Sequence, residues 1–312
     1  MEIVTDLKAL KASKPVVVAL GNFDGVHKGH QQLIGETIRM TKDGGSSVVM
    51  VFEPHPRMVL NNDSPKLLTA VERKAEILEG MGLDYLLLTP FNREIASWTP
   101  EFFVDKILVE TLGASRVYVG YNYSFGRGAQ GDAQLLTELG QQKGFEVEVI
   151  APVKVDGQIV SSTLVRKCLE EGDVEAVNKY TGRWPRLQGR VQHGEGRGLG
   201  FPTANLDLNP QLAQPDRGVY AARALVDGDY YDAVVNIGFK PTFHEEYRIL
   251  AEAHILDFAK VLYDQEITVL LVKRLRDERK FPDSESLVAQ IKMDIQETRL
   301  VLNELKKTQI VP

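Results

Sequence analysis

The sequence predicts two domains of different class, an α/β domain built on a parallel sheet followed by an antiparallel β-barrel closed by a helix. Three observations carry that prediction. Short β-branched runs alternate with helix-length segments through the first half, and from about Leu187 the runs become short and turn-punctuated. The chain also has 312 residues, more than the ~250 at which single cores usually stop growing.

In the first half "PVVVAL" precedes a helix from about Gly29 to Thr41, "SSVVMVF" precedes one near Ala70 to Met81, and "DYLLLTPF" precedes one around Pro100 to Thr111. "RVYVG", a helix near Ala133 to Lys143 and "FEVEVIAPV" continue the series. Strands this apolar are buried on both faces, which points to parallel pairing with helices above and below. Ligands of such sheets lie at the carboxyl ends of the strands. "SSTLVRKCLEEGDVEAVNKYTGRW" reads as one or two helices, and the boundary is placed at Gly182 to Leu187, giving domains 1–182 and 187–312. Beyond it come "LQGRVQHG", "GVYAARALVDGDYYDAVVNIG", "AEAHILDF" and "EITVLLVKRLRDE", with Asp-Gly between two strand runs as a hairpin signal. A last helix sets Leu287, Ile291, Ile295, Leu302 and Leu305 close to one face.

Composition narrows the function classes. Hydrophobic residues make up 43% and charged ones 26%, which describes a chain with a packed core rather than a disordered one. A net charge of −6 gives no general surface for nucleic acid. The single cysteine, Cys168, cannot form an internal disulfide, and "MEIVTDLKALKASKP" has no apolar signal-peptide core. No window reaches the roughly 18 apolar residues of a membrane span. The expectation is a cytoplasmic protein with small-molecule substrates and no nucleic-acid or membrane partner. Assembly is left open, a weak homo-oligomer included.

The chemistry begins where the first long strand run ends, in "VVVALGNFDGVHKGH". His27 and His30 are three apart at the expected start of a helix, where positions i and i+3 share a face beside free backbone N–H groups. That is a natural phosphate site, and Gly21, Gly25 and Gly29 let backbone approach a ligand closely. The plain alternative is a glycine turn with two surface histidines. No nucleophile is evident, and none is needed for transfer between two bound phosphates. "VYVGYNYSFGRGAQGD" contains a GxGxxG, Gly126 to Gly131, with Glu146 and Glu148 near the spacing of a dinucleotide-binding acid. Its glycines start six residues after Gly120 instead of in the first tight turn.

In the second half, "GEGRGLGFPTANLDL" is glycine-dense and stiffens at Pro202. Thr203 and Asn205 are two apart on an extended segment, so a hydroxyl and a carboxamide share one face as hard oxygen ligands suited to Mg²⁺. A glycine loop followed by an ordinary strand is the alternative, and the absence of GK[ST] excludes a Walker P-loop.

"GNFDGVHKGH" resembles the HxGH signature of nucleotidylyltransferases in the form used by the bacterial bifunctional riboflavin kinase/FAD synthetase family, and "FEPHP" and "VSSTLVR" resemble that family's next signatures in the same order. "GFPTANL", "GVYAA", "NIGFKPTF", "EAHILDF" and "RLRDERKF" resemble its riboflavin kinase module, so the resemblance covers nearly the whole chain.

The resemblance implies a nucleotidylyltransferase fold joined to a riboflavin kinase barrel. It also implies ATP, riboflavin, FMN and FAD as substrates and products, and Mg²⁺ as cofactor. In the first module it implies that His27 and His30 stabilise charge on the triphosphate and that Arg166 steadies the phosphates with Ser161, Ser162 and Thr163. Gly21, Asn22, Phe23 and Asp24 order the site, His55 lies in a loop over the nucleotide, and Asn122 contacts the flavin. In the second it implies Glu252 as the base for the ribityl 5′-hydroxyl. Thr203 and Asn205 hold the metal, Gly200 and Pro202 shape the nucleotide loop, and Arg276, Arg279 and Phe281 serve the flavin end.

His254 is expected to be structural, and His193 and His244 to lie at the surface. The loops "HGEGRGLG" and Phe243 to Glu252 look about two residues short for the family. The competing readings are a NAD-dependent oxidoreductase built on Gly126 to Gly131, a flavin-binding regulator without transfer activity, and an FAD synthetase with a weakened kinase.

Overall fold

The structure, a computed structural model, describes residues 1–60, 66–193, 200–241 and 247–305. The chain folds as two compact units, Met1–Ser162 and Thr163–Pro312.

In the first unit six parallel strands stand in the spatial order Glu2–Val4, Tyr85–Pro90, Ser46–Glu53, Val16–Leu20, Ala114–Gly120, Glu146–Ile150. Every residue of Val16–Leu20 is buried, as the unbroken apolar run requires of a strand covered on both faces. Its side chains alternate between two cores. Val16, Val18 and Leu20 pack with Val104, Ile107, Leu108 and Leu136 on one face, while Val17 and Ala19 pack with Leu33, Ile34 and Leu78 on the other. From this strand the chain winds outward through Ser46–Glu53 and Tyr85–Pro90, then reverses to Ala114–Gly120 and Glu146–Ile150. The reversal opens a crevice at the carboxyl ends of Val16–Leu20 and Ala114–Gly120.

The helices form close to the positions read from the sequence, with two differences. The first runs over Lys28–Arg39, so His27 is its N-cap rather than a residue of its first turn. The segment expected to be one helix over Pro100 to Thr111 is α-helical over Pro100–Phe103 and widens to a π-helix over Val104–Thr111, turning Val104, Ile107 and Leu108 into the core.

In the second unit a closed barrel has the order Arg186–Gln192, Ala204–Leu208, Tyr247–Ile255, Asp229–Pro241, Gly218–Val226, Glu266–Arg276, with antiparallel pairing at every seam. Six strands enclose a narrow interior, and Ala222, Ala224, Ala233, Ala251 and Ala253 leave room in it for Leu206, Tyr220, Val235 and Leu271. Asp227 and Gly228 join two strands with φ +52° and +89°, the paired positive values of a type I′ turn.

The division between the units falls some twenty residues before the boundary expected at Gly182 to Leu187. The helices Ser162–Glu170 and Val174–Thr181 account for the difference, since Val174 is part of the barrel core and Leu169 accepts a backbone hydrogen bond from Asp216.

The last helix, Ser284–Leu305, packs against the barrel through a face centred on Asp294, Thr298 and Leu302, all buried. Leu287, Ile291, Ile295 and Leu305 flank that face and are half-buried. A carboxylate occupies the middle of the seam because Arg276 grips it in a fork, with Nε to Oδ1 at 3.0 Å and Nη2 to Oδ2 at 2.8 Å.

Leu206 is fully buried in the barrel core. Leu206→Ala is expected to lower the stability of the barrel by about 2–5 kcal/mol through the cavity it leaves, read as a shift of the urea unfolding midpoint with unchanged slope.

Candidate functional site

The loop leaving Val16–Leu20 turns through conformations that only glycine adopts freely. Phe23 has φ +49°, Gly25 +78° and Val26 +38°. For a bulky and a β-branched residue this costs of the order of 1–3 kcal/mol each, and it persists where surrounding contacts over-determine the backbone. Those contacts are present. Lys74 Nζ donates to the Asn22 carbonyl at 2.8 Å, and Asp24 Oδ1 accepts the N–H groups of Leu68 and Thr69 at 2.8 and 3.2 Å. Thr69 Oγ1 accepts the Gly25 N–H at 3.1 Å, Ser162 Oγ donates to the Asp24 carbonyl at 2.8 Å, and Gln31 Nε2 donates to the Val26 carbonyl at 2.8 Å.

This cage delivers two imidazoles to the switch-point crevice. His27 is buried and caps the helix, its Nδ1 accepting the His30 N–H at 3.3 Å, so the neutral ring carries its proton on Nε2. His30 stacks on it with ring centroids 3.6 Å apart and 21° between planes, and Phe23 meets His30 edge-on at 5.2 Å. The Nδ1 of His30 is buried and makes no hydrogen bond among the described residues. Desolvation, then the neighbouring His27, then Lys74 hold the His30 pKa well below 6.5. Burial lowers the Lys74 ammonium against the opposing pull of Asp24 and Glu53, and desolvation raises Glu53.

The other residues singled out in this half are placed in different ways. Gly21 and Asn22 open the loop and are half-buried. Asp24 is used as a brace, accepting two backbone N–H groups. His55 accepts the Arg57 N–H at 3.2 Å where a short helix, Pro56–Leu60, begins. Asn122 is exposed just after Ala114–Gly120. Ser161 and Ser162 precede and open the helix Ser162–Glu170; Thr163 and Arg166 continue it and fall within the second unit.

The GxGxxG is no dinucleotide turn. Ser124–Phe125 pairs antiparallel with Gly131–Asp132, and Gly126 to Gln130 form the tip of that small hairpin. Gly131 and Gly126 serve packing, since a Cβ at Gly131 would lie 2.6 Å from the Phe125 ring and one at Gly126 2.8 Å from Pro100, while Gly128 serves the turn with φ +61°. This removes the structural basis of the oxidoreductase reading.

In the barrel, register builds the site. Gln192 pairs with Asn205, Asn205 with Glu252 and Glu252 with Asn236, so four polar residues form one rung across four strands. Their neighbours Ala204, Leu206, Ala251, Ala253, Val235 and Ile237 all belong to the core, which places the rung on the outer face. Asn205 is nonetheless only 6% exposed. Thr203, two residues before it, is exposed, and Gly200 has φ +81°. The Pro202 carbonyl lies 2.8 Å from His254 Nδ1, and the His254 ring stands edge-on to Phe201. His193 stacks on Tyr263 at 3.8 Å.

Arg276 is committed to Asp294, and Arg279 to Gln290, which also donates to Asp294 at 2.7 Å. Both guanidinium groups lie over Phe281, at 5.7 and 4.9 Å. The segment passes so close to the barrel that a Cβ at Gly238 would lie 2.6 Å from Glu278 Oε1. His244 lies outside the described residues, as do residues 194–199 and 243–246 of the two loops expected to be short for the family.

Three contributors went unnoticed in the sequence. Asn236 was legible in principle, since "VVNIG" puts an amide at an outward position of an alternating strand. Lys74 and Asp294 carried no signal, because each is a charged residue on a helix surface until its partner is known.

Comparison with known proteins bears on both halves. A family model described as FAD synthetase matches residues 9–164, and one described as riboflavin kinase matches residues 181–302. The bifunctional riboflavin kinase/FMN adenylyltransferase of Pseudomonas fluorescens is 37% identical over 303 residues, covering 96% of this chain and 97% of that one. The enzyme of the same description from Bacillus subtilis is 36% identical over 299 residues, covering 93% and 94%. A crystal structure described as a macrolide-efflux protein of Streptococcus pneumoniae is 29% identical and superposes over 96% of this chain and 98% of that one with a TM-score of 0.86. Among the described residues of this chain, no helix is long and apolar enough to cross a membrane. With both halves matched in order and full-length relatives aligned from end to end, the chain belongs to the bifunctional riboflavin kinase/FMN adenylyltransferase family.

Proposed function

We propose that residues 1–182 adenylylate FMN and residues 187–312 phosphorylate riboflavin, each through the residues brought together above. One observation carries the adenylylation reading, the buried Nδ1 of His30, without a hydrogen-bond partner among the described residues and on a ring stacked against His27 at the carboxyl edge of the sheet. A phosphate oxygen of FMN attacks the α-phosphorus of ATP, the bond from that phosphorus to the α,β-bridging oxygen breaks, and pyrophosphate leaves as FAD forms. The histidines offer N–H groups to the oxygens on which charge builds, and Arg166, Ser161 and Thr163 steady the rest of the chain of phosphates. A neutral His30 does this without giving up its proton. The tightly caged Gly21–Val26 backbone leaves Asn22 to order the nucleotide, the buried Phe23 ring supporting His30 edge-on, with His55 in the loop beyond and Asn122 toward the flavin.

In the barrel the support is the register that sets Glu252 beside Asn205. Glu252 takes the proton of the ribityl 5′-hydroxyl as that oxygen attacks the γ-phosphorus of ATP, and ADP leaves as FMN forms. Thr203 and Asn205 supply the neutral hard oxygens that fit Mg²⁺ held together with nucleotide phosphates. The ion would neutralise charge on those phosphates. Gly200 and Pro202 shape the approach to the nucleotide, and Phe281 with Arg279 borders the flavin. Arg276 contributes by anchoring that segment to Asp294.

Glu252→Ala is expected to abolish FMN formation from riboflavin while leaving FAD formation from FMN intact, and His30→Ala to do the reverse. Chromatography of the flavins after incubation with ATP and Mg²⁺ separates the two. Loss of both reactions in either folded variant would defeat the assignment of one reaction to residues 1–182 and the other to residues 187–312.

Because His30 titrates below its ordinary 6.5, the ring is expected to be neutral throughout the range above that pH. Histidine-selective NMR should show its midpoint below those of exposed histidines. The same shift makes stability fall as pH drops from 6.5 through the folded-state value, since in that window the unfolded chain binds the proton first. A midpoint at or above 6.5 would contradict the geometry.

A further inference from the structure

Lys74 sits within the helix Val71–Gly80, where a lysine ordinarily keeps its ammonium in water. Here the residue is only 6% exposed. Burying an ammonium is costly unless it is paired and hydrogen-bonded, and an apolar residue would serve the core of that helix at least as well. The cost is met by what the amine touches. Its Nζ donates to the carbonyl of Asn22, and Asp24 and Glu53 are the carboxylates that pull on its charge.

Asn22 is the last residue before the positive-φ stretch that ends at the His27 cap. The other ties on the loop act at residues 24 to 26, through Thr69, Ser162, Gln31 and the Asp24 carboxylate. The Lys74 hydrogen bond therefore acts where the strand is left and the strained turn begins. The same ammonium is one of the charges felt by the His30 ring.

We propose that Lys74 is a positioning residue of the adenylylation site, its buried ammonium clamping the Asn22 carbonyl so that the Gly21–Val26 turn presents His27 and His30 in their stacked arrangement. This rests on the function assigned to the first unit, and it adds a residue from outside the motifs. Lys74 acts through the loop and is assigned no contact with substrate. The consequence is a separation of rate from affinity, because a displaced pair of histidines loses the transition state while most nucleotide and flavin contacts remain.

The test compares wild type, Lys74→Met and Lys74→Arg, measuring FAD formation from FMN with kcat and KM separated, and FMN formation from riboflavin in the same preparations. Lys74→Met is expected to lose about 100-fold in kcat, the effect of misplacing reacting groups by roughly 1 Å, with KM for ATP and FMN changed by less than about 3-fold. Lys74→Arg, which keeps a charge and an N–H donor, is expected to recover to within about 10-fold of wild type, and riboflavin phosphorylation is expected to be unaffected in both. A Lys74→Met enzyme with wild-type kcat, or equal impairment of both variants, would overturn the positioning role. Urea unfolding identifies a variant that fails to fold. In that case Lys74→Gln, which keeps an N–H donor for the Asn22 carbonyl without burying a charge, is expected to fold and to lower kcat with KM preserved, and unchanged kcat would overturn the proposal. Wild-type protein that makes no FAD from FMN would defeat the functional reading itself and this inference with it, an outcome distinct from active wild type beside active Lys74→Met.

Discussion

The first unit depends on a turn that its own backbone disfavours. Between Val16–Leu20 and Lys28–Arg39 the chain must leave a fully buried strand, reverse, and start a helix at the crevice, and it does so with Phe23 and Val26 at positive φ. Such a conformation is retained only where the surroundings outweigh its cost. The ties from Lys74, Leu68, Thr69, Ser162 and Gln31 come from four separate places in the sequence. The site is therefore a property of the assembled unit. Its precision follows from the same fact, since groups held from several sides lose little on binding a phosphate chain.

The barrel reaches a comparable result by a different route. Regular pairing sets Gln192, Asn205, Glu252 and Asn236 in one rung without a strained backbone, because opposite residues of antiparallel strands project to the same side. What varies around that rung is the covering segment. Arg276 and Arg279 are held by Asp294 and Gln290 of the last helix, which makes the helix part of the frame for the residues through Phe281. An arginine that reads as a ligand contact in a motif is thus used to hold the segment that carries it. Breaking that pair would leave a charge without its counter-ion in a nearly closed seam, the costly way to lose a buried ion pair.

The structure described as a macrolide-efflux protein is joined to this chain by 29% sequence identity as well as by shape, over almost its full length. The family assignment rests on sequence matches that run through both halves, and the chemical reading rests on particular groups, the His27–His30 stack and the Asn205–Glu252 pair.

Much of the protein was determined locally and could be read without coordinates. The apolar run at Val16–Leu20, the Asp-Gly turn at 227–228 and the spacing of His27 and His30 each depend on a few adjacent residues, and each has a fixed geometric meaning. The tertiary structure decided what depends on partners far away in the chain. Asp24 became a brace because Leu68 and Thr69 arrive with free N–H groups, the GxGxxG became a hairpin tip because Ser124–Phe125 pairs with Gly131–Asp132, and the two helices after Ser161 joined the barrel because Val174 finds its core. Lys74 and Asp294 are the clearest cases. A charged residue on a helix is indistinguishable in sequence from a solvated one, and only the arrival of Asn22 or Arg276 from elsewhere makes burial of its charge tolerable.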